Sequence, residues 1–297
     1  MTLEVLVPGL RTTLQDVPRD GAARSGIPPS GPADPLAFAA ALALVGAEGA
    51  AIEVIGPPFT FRCADPRIIA VTGRDVWVGV GRRLPGWIAI FLRPGEEATV
   101  GGSAATRYAY LAISGRINVE PVLGSRGSYL PAALGPLPRP LVAGDKLPLG
   151  AQRGGYERAG RRLPVFDYGV EVAAVPGPHT DRFERQMERA FFADPFTVTA
   201  EGDRMGVRLD GPALVSDGRE LLSCGIATGA VQVPRGGRPI VLGPDHQTTG
   251  GYPIIATVTR AHQGIVAQAM PGERIRFRPV TALEAISALR QRLVAPA

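Results

Sequence analysis

The chain has 297 residues, 45% hydrophobic and 20% charged, with 38 glycines and 29 prolines. That balance excludes a disordered or fibrous chain, and the many turn formers leave little room for long helices, so a β-rich globular architecture follows. The net charge is +5, and nearly all of the 32 basic residues are arginines; they form no cluster interleaved with aromatics, which argues against a nucleic-acid surface and suits an anionic small substrate equally well.

Only two cysteines are present, Cys63 and Cys224, far apart and without a partner motif. Such usage points to a reducing compartment. No run approaches the ~18 apolar residues of a membrane-spanning helix. Leu3 to Val7 reads as a strand and not as a secretory leader. The expectation is a cytoplasmic protein that engages neither membrane nor nucleic acid.

After that first alternating strand comes a polar segment, Arg11 to Gly21, in which Gln15 and Asp16 either face a cleft or close a turn. Asp34-Pro35 opens the first helix: Asp34 suits the N-cap, Pro35 the first helical position, and Gly46 the stop. Leu36, Phe38, Leu42 and Val45 are its apolar anchors. Phe59 and Phe61, Ile68 to Val71, Val76 to Val80, Ile88 to Leu92 and Arg107 to Ile113 read as successive short strands. Strands at that spacing imply a barrel or sandwich with one inserted helix.

Gly124-Ser125-Arg126-Gly127-Ser128 is a small-residue loop carrying one guanidinium. Arg126 can clamp a carboxylate or phosphate through its planar donor fork, or simply point to solvent. The stretch from Gly150 to Arg162 is rich in Gly and Arg and poor in apolar residues. It separates two domains, residues 1–155 and 163–297. Val170-Glu171-Val172 starts the second. A helix follows His179, with Phe183, Met187, Ala190 and Phe191 on one face. Arg204 and Arg208 share a face if extended, turned either to a ligand or to solvent. Near the end, Ile275-Arg276-Phe277 closes the second β unit. Thr281 with Glu284 forms a capping box for a terminal helix carrying Leu283, Ile286, Leu289 and Leu293, which seals a core or an interface.

Between them lies the most informative stretch, Gln232 to Tyr252. Ala230 to Val233 favours a strand, Pro234 to Pro239 a Gly-rich turn, and Ile240-Val241-Leu242 a buried strand. Asp245, His246, Gln247, Thr248 and Thr249 then form a polar loop bracketed by Gly243 and by Gly250-Gly251. Paired glycines permit positive φ, so their N–H groups can converge on an anion or a carbonyl oxygen. The loop is either a site held between buried strands or an ordinary connection capping its own backbone.

The chain carries no Gly-x-x-x-x-Gly-Lys-Ser/Thr phosphate loop, no Gly-x-Ser-x-Gly elbow and no biotin-attachment segment around Lys146. His179, His246 and His262 lack metal-ligand spacing, so no metal is expected. If ATP or biotin takes part, another chain binds or carries much of it.

"QVPRGGRPIVLGPDHQTTGGYPIIATV" resembles the signature of the family variously known as the C component of 5-oxoprolinase, allophanate hydrolase subunit 2 and biotin-dependent carboxyltransferase. That family includes the antagonist of a sporulation-kinase inhibitor. Thr12-Thr13-Leu14-Gln15-Asp16 with Arg19 and Gly21, Ser30 to Asp34, Gly124-Ser125-Arg126, and Asp203-Arg204-Met205-Gly206 with Arg208-Leu209 resemble further motifs of the family in the same order. The resemblance implies a mainly β chain of two tandem cyclophilin-like β-barrel domains with a few short helices. It implies one component of a hetero-oligomeric, ATP-dependent 5-oxoprolinase converting 5-oxo-L-proline to L-glutamate. Such a chain is active only with partners resembling the B and A components of 5-oxoprolinase, which share in binding ATP.

In that reading Asp245 is the base, Gln247 and Thr248 act with it, and Gln232, Thr249 and the Gly250-Gly251 backbone donate to the substrate. Arg204, Arg208 and Arg126 hold a carboxylate or phosphate. Gln15, Asp16, Ser125 and Tyr252 complete the binding set for a small carboxylate or amide. His246 stands where the family commonly has Arg and is not assigned to the chemistry. Gly127 replaces a hydroxyl residue and His179 a glutamine. The alternatives are a carboxyltransferase working with a biotinylated partner, as in urea carboxylase, and a non-enzymatic regulator that binds a kinase-inhibitor protein.

Overall fold

The computed structural model describes residues 1–152 and 155–294, excluding the side chains of residues 293 and 294. The described residues form two compact units: 1–19 with 34–152 and 155–167, and 20–33 with 168–294. The divide at 167/168 lies just beyond the Gly- and Arg-rich stretch, part of which (153 and 154) is outside the described residues. What composition did not reveal is that residues 20–33 belong to the second unit.

Among the described residues, the first unit is built from β1 (Thr2–Val7), β2 (Arg11–Gln15), α1 (Pro35–Val45), β3 (Ala51–Ile55), β4 (Phe59–Cys63), β5 (Arg67–Gly73), β6 (Trp77–Val80), β7 (Arg82–Pro85), β8 (Ala89–Leu92), β9 (Glu97–Gly101), β10 (Tyr108–Ile113) and β11 (Lys146–Pro148). One sheet runs β11-β1-β4-β9-β6-β7 and the other β2-β3-β10-β5-β8, so this unit divides its strands between two sheets. Alternation in β1 and β4 buries Leu3, Val5, Phe59 and Phe61 completely, as a one-sided sheet requires. β10 and β5, by contrast, are buried along their whole length. The helix starts where its cap dictates: an Asp34 carboxylate oxygen accepts from Ala37 N at 3.1 Å, Pro35 follows, and Gly46 at φ 66° ends it. The polar segment from Arg11 to Gly21 begins with strand β2, whose Thr12, Thr13 and Gln15 are buried.

The second unit contains β12 (Glu171–Pro176), α2 (Arg185–Ala193), β13 (Pro195–Gly202), β14 (Gly206–Asp210), β15 (Cys224–Gly225), β16 (Ala230–Gln232), β17 (Ile240–Leu242), β18 (Thr249–Gly250), β19 (Ile254–Val258), α3 (Gln263–Gln268), β20 (Arg274–Pro279) and α4 (Ala282–Val294). Seven strands close a barrel in the order β12-β19-β16-β17-β14-β13-β20, the ring completed by a parallel β20–β12 pair. β15 and β18 form a separate two-stranded ribbon. Phe191 of α2 lies inside this unit's core, stacked on Phe277 with centroids 4.5 Å apart. Burying such a ring contributes about 1.5–3 kcal/mol. The mainly β architecture expected from composition is therefore present, with the second unit a closed barrel.

Helix α4 has its capping box: Glu284 N donates to Thr281 Oγ1 at 3.2 Å, and Thr281 N to Glu284 Oε2 at 2.7 Å. Its apolar face does not seal a core along its length, however, since Leu283 is 79% and Ile286 49% exposed. The Leu293 side chain lies outside the described residues. Among the described residues, no helix is long and apolar enough to cross a membrane.

Candidate functional site

Side-chain alternation on three neighbouring barrel strands builds one wall of a cavity in the second unit. Val207 and Leu209 of β14, Val231 of β16 and Val241 of β17 belong to the barrel core. Their neighbours Gly206, Arg208, Gln232, Ile240 and Leu242 therefore face outward. The register sets Arg208 and Gln232 each opposite Ile240, and Gly206 opposite Leu242. Ile226, His246, Gln247 and Tyr252 complete a cavity of about 460 Å³ on this outer face.

The loop after β17 is fixed from beneath. Gly243 N donates to Met205 O at 2.9 Å, Asp245 N to Arg204 O at 3.0 Å, and Ser30 N to Pro244 O at 3.0 Å. Arg204 Nε donates to Asp245 Oδ2 at 2.8 Å and Nη2 to Oδ1 at 3.0 Å, while Ser30 Oγ donates to Oδ1 at 2.6 Å. Arg204 also donates to Gly31 O at 2.7 Å. All three side chains are buried. Arg204 and Arg208 thus do not share a face: β14 begins only at Gly206, and Arg204 sits in the preceding turn, directed inward. Asp245, assigned from sequence as the base, instead has both oxygens engaged in holding the loop. Arg204, assigned to the substrate, is its clamp.

Two loop residues turn to the cavity. Gln247 is exposed, whereas His246 is 1% exposed. The His246 Nδ1 lies 2.5 Å from the Gln247 carbonyl. A carbonyl oxygen only accepts, so Nδ1 carries the proton. Burial pushes the imidazole below its ordinary pKa, outweighing the Gln247 bond and the nearby Asp245 charge, which both raise it. The ring is neutral at pH 7. Gly250 and Gly251 do not adopt positive φ, so their role is not a convergent pair of N–H groups. Gly250 supplies space: a Cβ there would lie 2.6 Å from Ile226 Cδ1 and 2.9 Å from Gln232 Nε2.

Residues 25–279 match the family described as carboxyltransferase domain, subdomain A and B. The chain belongs to this carboxyltransferase-domain family. It is 36% identical to the C component of 5-oxoprolinase from Escherichia coli, over 96% of this chain and 94% of that protein. Identity to the corresponding 5-oxoprolinase component of Haemophilus influenzae is 32%, over 97% of this chain and 94% of that protein. The solved urea carboxylase of Kluyveromyces lactis superposes with a TM-score of 0.87 at 27% identity, covering 99% of this chain but only 28% of that longer one.

The remaining residues taken from the family's motifs fall in two places. Arg208, Gln232, Gln247 and Tyr252 line the cavity together. Thr248 and Thr249 lie in the same loop, where Thr248 O accepts from Ile226 N at 3.1 Å and Thr249 pairs with Gly225. Gln15, Asp16, Ser125 and Arg126 cluster in the first unit. There Asp16 Oδ2 accepts from Arg126 N at 2.9 Å, Gln15 Nε2 donates to Ser128 O at 3.2 Å, and Ser125 Oγ accepts from Gly127 N at 3.1 Å. Arg126 Nε donates to Val119 O at 2.9 Å. These bonds tie the end of β2 to the loop of residues 124–128, a structural task.

Ser30 and His246 were not assigned from sequence. Ser30 adopts a positive φ of 57°, unusual for a non-glycine residue, and is buried beside Asp245. Its family-motif position was the available signal. Charged lining residues are few: Glu201 and Asp203 are carboxylates, and Arg208 Nε lies 3.6 Å from Glu201. Among the described residues, no three His, Cys, Asp or Glu side chains are grouped to hold a metal.

Proposed function

We propose that the chain is one component of an ATP-dependent 5-oxoprolinase, an amide hydrolase that opens 5-oxo-L-proline to L-glutamate in the cytoplasm, together with partners resembling the A and B components of that enzyme. The observation that carries this reading is the end-to-end likeness to the E. coli C component, which covers 94% of that protein and leaves no large part of it unmatched. The cavity supports it. A lactam is a small neutral ring bearing one acceptor and one donor, and this cavity offers an amide, an imidazole and an apolar floor from Ile226, Ile240 and Leu242. Arg208 is the guanidinium of the lining, and its exposed 3.6 Å pair with Glu201 is weak enough to exchange for one substrate carboxylate.

A triphosphate does not fit the same residues. Two carboxylates and one guanidinium already close to Glu201 make a poor cradle for phosphate, so we place no ATP-dependent step on this cavity. The chain's own contribution is to bind and orient the ring, with the loop of Gln247 and Thr248 over it. Co-expression with relatives of the A and B components should yield ATP-dependent conversion of 5-oxoproline to glutamate, and the chain alone should show none. Turnover by the isolated chain would overturn the shared-site reading.

A second reading is favoured by the likeness to urea carboxylase. In it the cavity receives a biotin ureido ring carried by a partner, the ring supplying a transferable carboxyl group. An assay of the same co-expressed assembly with urea, bicarbonate and a biotinylated partner separates the two.

A further inference from the structure

Two nitrogens on residues lining the second unit's cavity, Gln232 Nε2 and His246 Nε2, are shielded from solvent and meet no hydrogen-bonding partner among the described residues. A polar group left buried without a partner keeps its full desolvation cost. A cavity is therefore a poor place to retain two of them unless something enters and pairs them. Gln232 is 6% and His246 1% exposed.

The two are opposite in character. The Gln232 amide nitrogen can only donate. With the proton fixed on Nδ1 by the Gln247 carbonyl, the neutral His246 ring presents a lone pair at Nε2 and can only accept there. A ring amide is the complement of this pair. Its cis geometry holds an accepting C=O and a donating N–H on adjacent atoms of one edge, as in a lactam or a cyclic ureide. A carboxylate offers no N–H to the His246 lone pair, so it is not the group that answers this pair.

We propose that His246 is the specificity-determining residue of this cavity, accepting through Nε2 the N–H of a ring amide whose carbonyl oxygen takes the Gln232 N–H. The assignment rests on reading the cavity as the substrate-binding part of the assembly. Because both nitrogens are shielded, the ligand reaches them by displacing side chains, and Tyr252 and Gln247 are among the exposed ones at the cavity. A site built this way rejects an analogue lacking the N–H, because the imidazole lone pair then stays buried and unpaired.

The test is a titration of the full chain, with histidine labelled by nitrogen-15, against 2-pyrrolidinone, N-methyl-2-pyrrolidinone, 2-imidazolidinone and 5-oxo-L-proline. The Nε2 resonance of His246 should start as an unprotonated nitrogen and move saturably with the lactam or the cyclic ureide. The N-methyl compound should bind at least roughly tenfold more weakly. His246→Phe should cost a similar factor, and His246→Gln, which restores an acceptor at similar reach, should recover part of it. Equal binding of the N-methyl compound, no saturable shift with any ring amide, or a protonated Nε2 at pH 7.5 would each overturn the proposal. The tighter of lactam and ureide identifies the source of the ring. Ring-amide binding without 5-oxoproline turnover in the co-expressed assembly would remove the oxoprolinase reading and keep this one; turnover indifferent to His246→Phe would do the reverse.

Discussion

Arg204 grips both oxygens of Asp245, Nε on Oδ2 at 2.8 Å and Nη2 on Oδ1 at 3.0 Å, and each side chain is only 7% exposed. A bidentate guanidinium–carboxylate pair in that setting resists bending and fixes the loop it joins. Removing one partner leaves the other charge buried and uncompensated. Asp245→Ala should therefore lower the unfolding free energy by about 3 kcal/mol or more. Denaturant unfolding measures this directly. An Asp245→Ala protein with unchanged stability and abolished turnover would return the carboxylate to the chemistry.

The loop residues beyond that clamp should behave in the opposite way. Gln247 is exposed and Thr248 half-buried, and Thr248 ties the loop to Ile226 through its backbone carbonyl. The double variant Gln247→Ala, Thr248→Ala should stay within about 0.5 kcal/mol of the parent. Turnover by the reconstituted assembly should be lost. Wild-type rates in the double variant would show that these side chains are spectators.

How far the site could be read from residues alone follows from the same loop. Its strands were legible because Ile240-Val241-Leu242 and Ala230 to Val233 are apolar runs bounded by Pro and Gly, and the Asp34–Gly46 helix because its cap and stop are local signals. Arg204 was misplaced because an even spacing predicts a shared face only if the strand continues, and the turn before Gly206 is set by tertiary contacts. The positive φ expected at Gly250 was absent because the residue pairs with Cys224 in a ribbon, a long-range partnership invisible in a local window. Residues 20–33 join the second unit through Ser30, whose bonds to Pro244 and Asp245 link positions far apart in the sequence.

His262 gives the chain a pH dependence independent of the cavity. Its Nδ1 lies 2.8 Å from Thr259 Oγ1, and burial, reinforced by Arg292 and Arg278, pushes its pKa down to about 4 from an ordinary 6.5. The unfolded chain takes up a proton that the folded chain refuses until about pH 4. Stability is thus fully present above pH 6.5 and declines as pH falls through that window. Urea midpoints measured between about pH 7.5 and 4 should show the decline, and His262→Gln should shallow it. An unchanged slope would assign the decline to other groups.

Gly250 offers the sharpest separation of cavity shape from fold. An added methyl would come within 2.6 Å of Ile226 Cδ1 and 2.9 Å of Gln232 Nε2, both free ends of side chains. Neither contact is with backbone, and the residue's φ is outside the left-handed range. The side chains can swing aside at a cost of about 1 kcal/mol, the low end for overpacking. Swinging Gln232 aside, however, removes the amide donor from the cavity. Gly250→Ala should therefore melt within a few degrees of the parent while ring-amide binding falls at least roughly tenfold, the effect of one misplaced hydrogen bond in a buried site. A variant that binds 2-pyrrolidinone as tightly as the parent would mean that the Gln232 donor is not part of recognition.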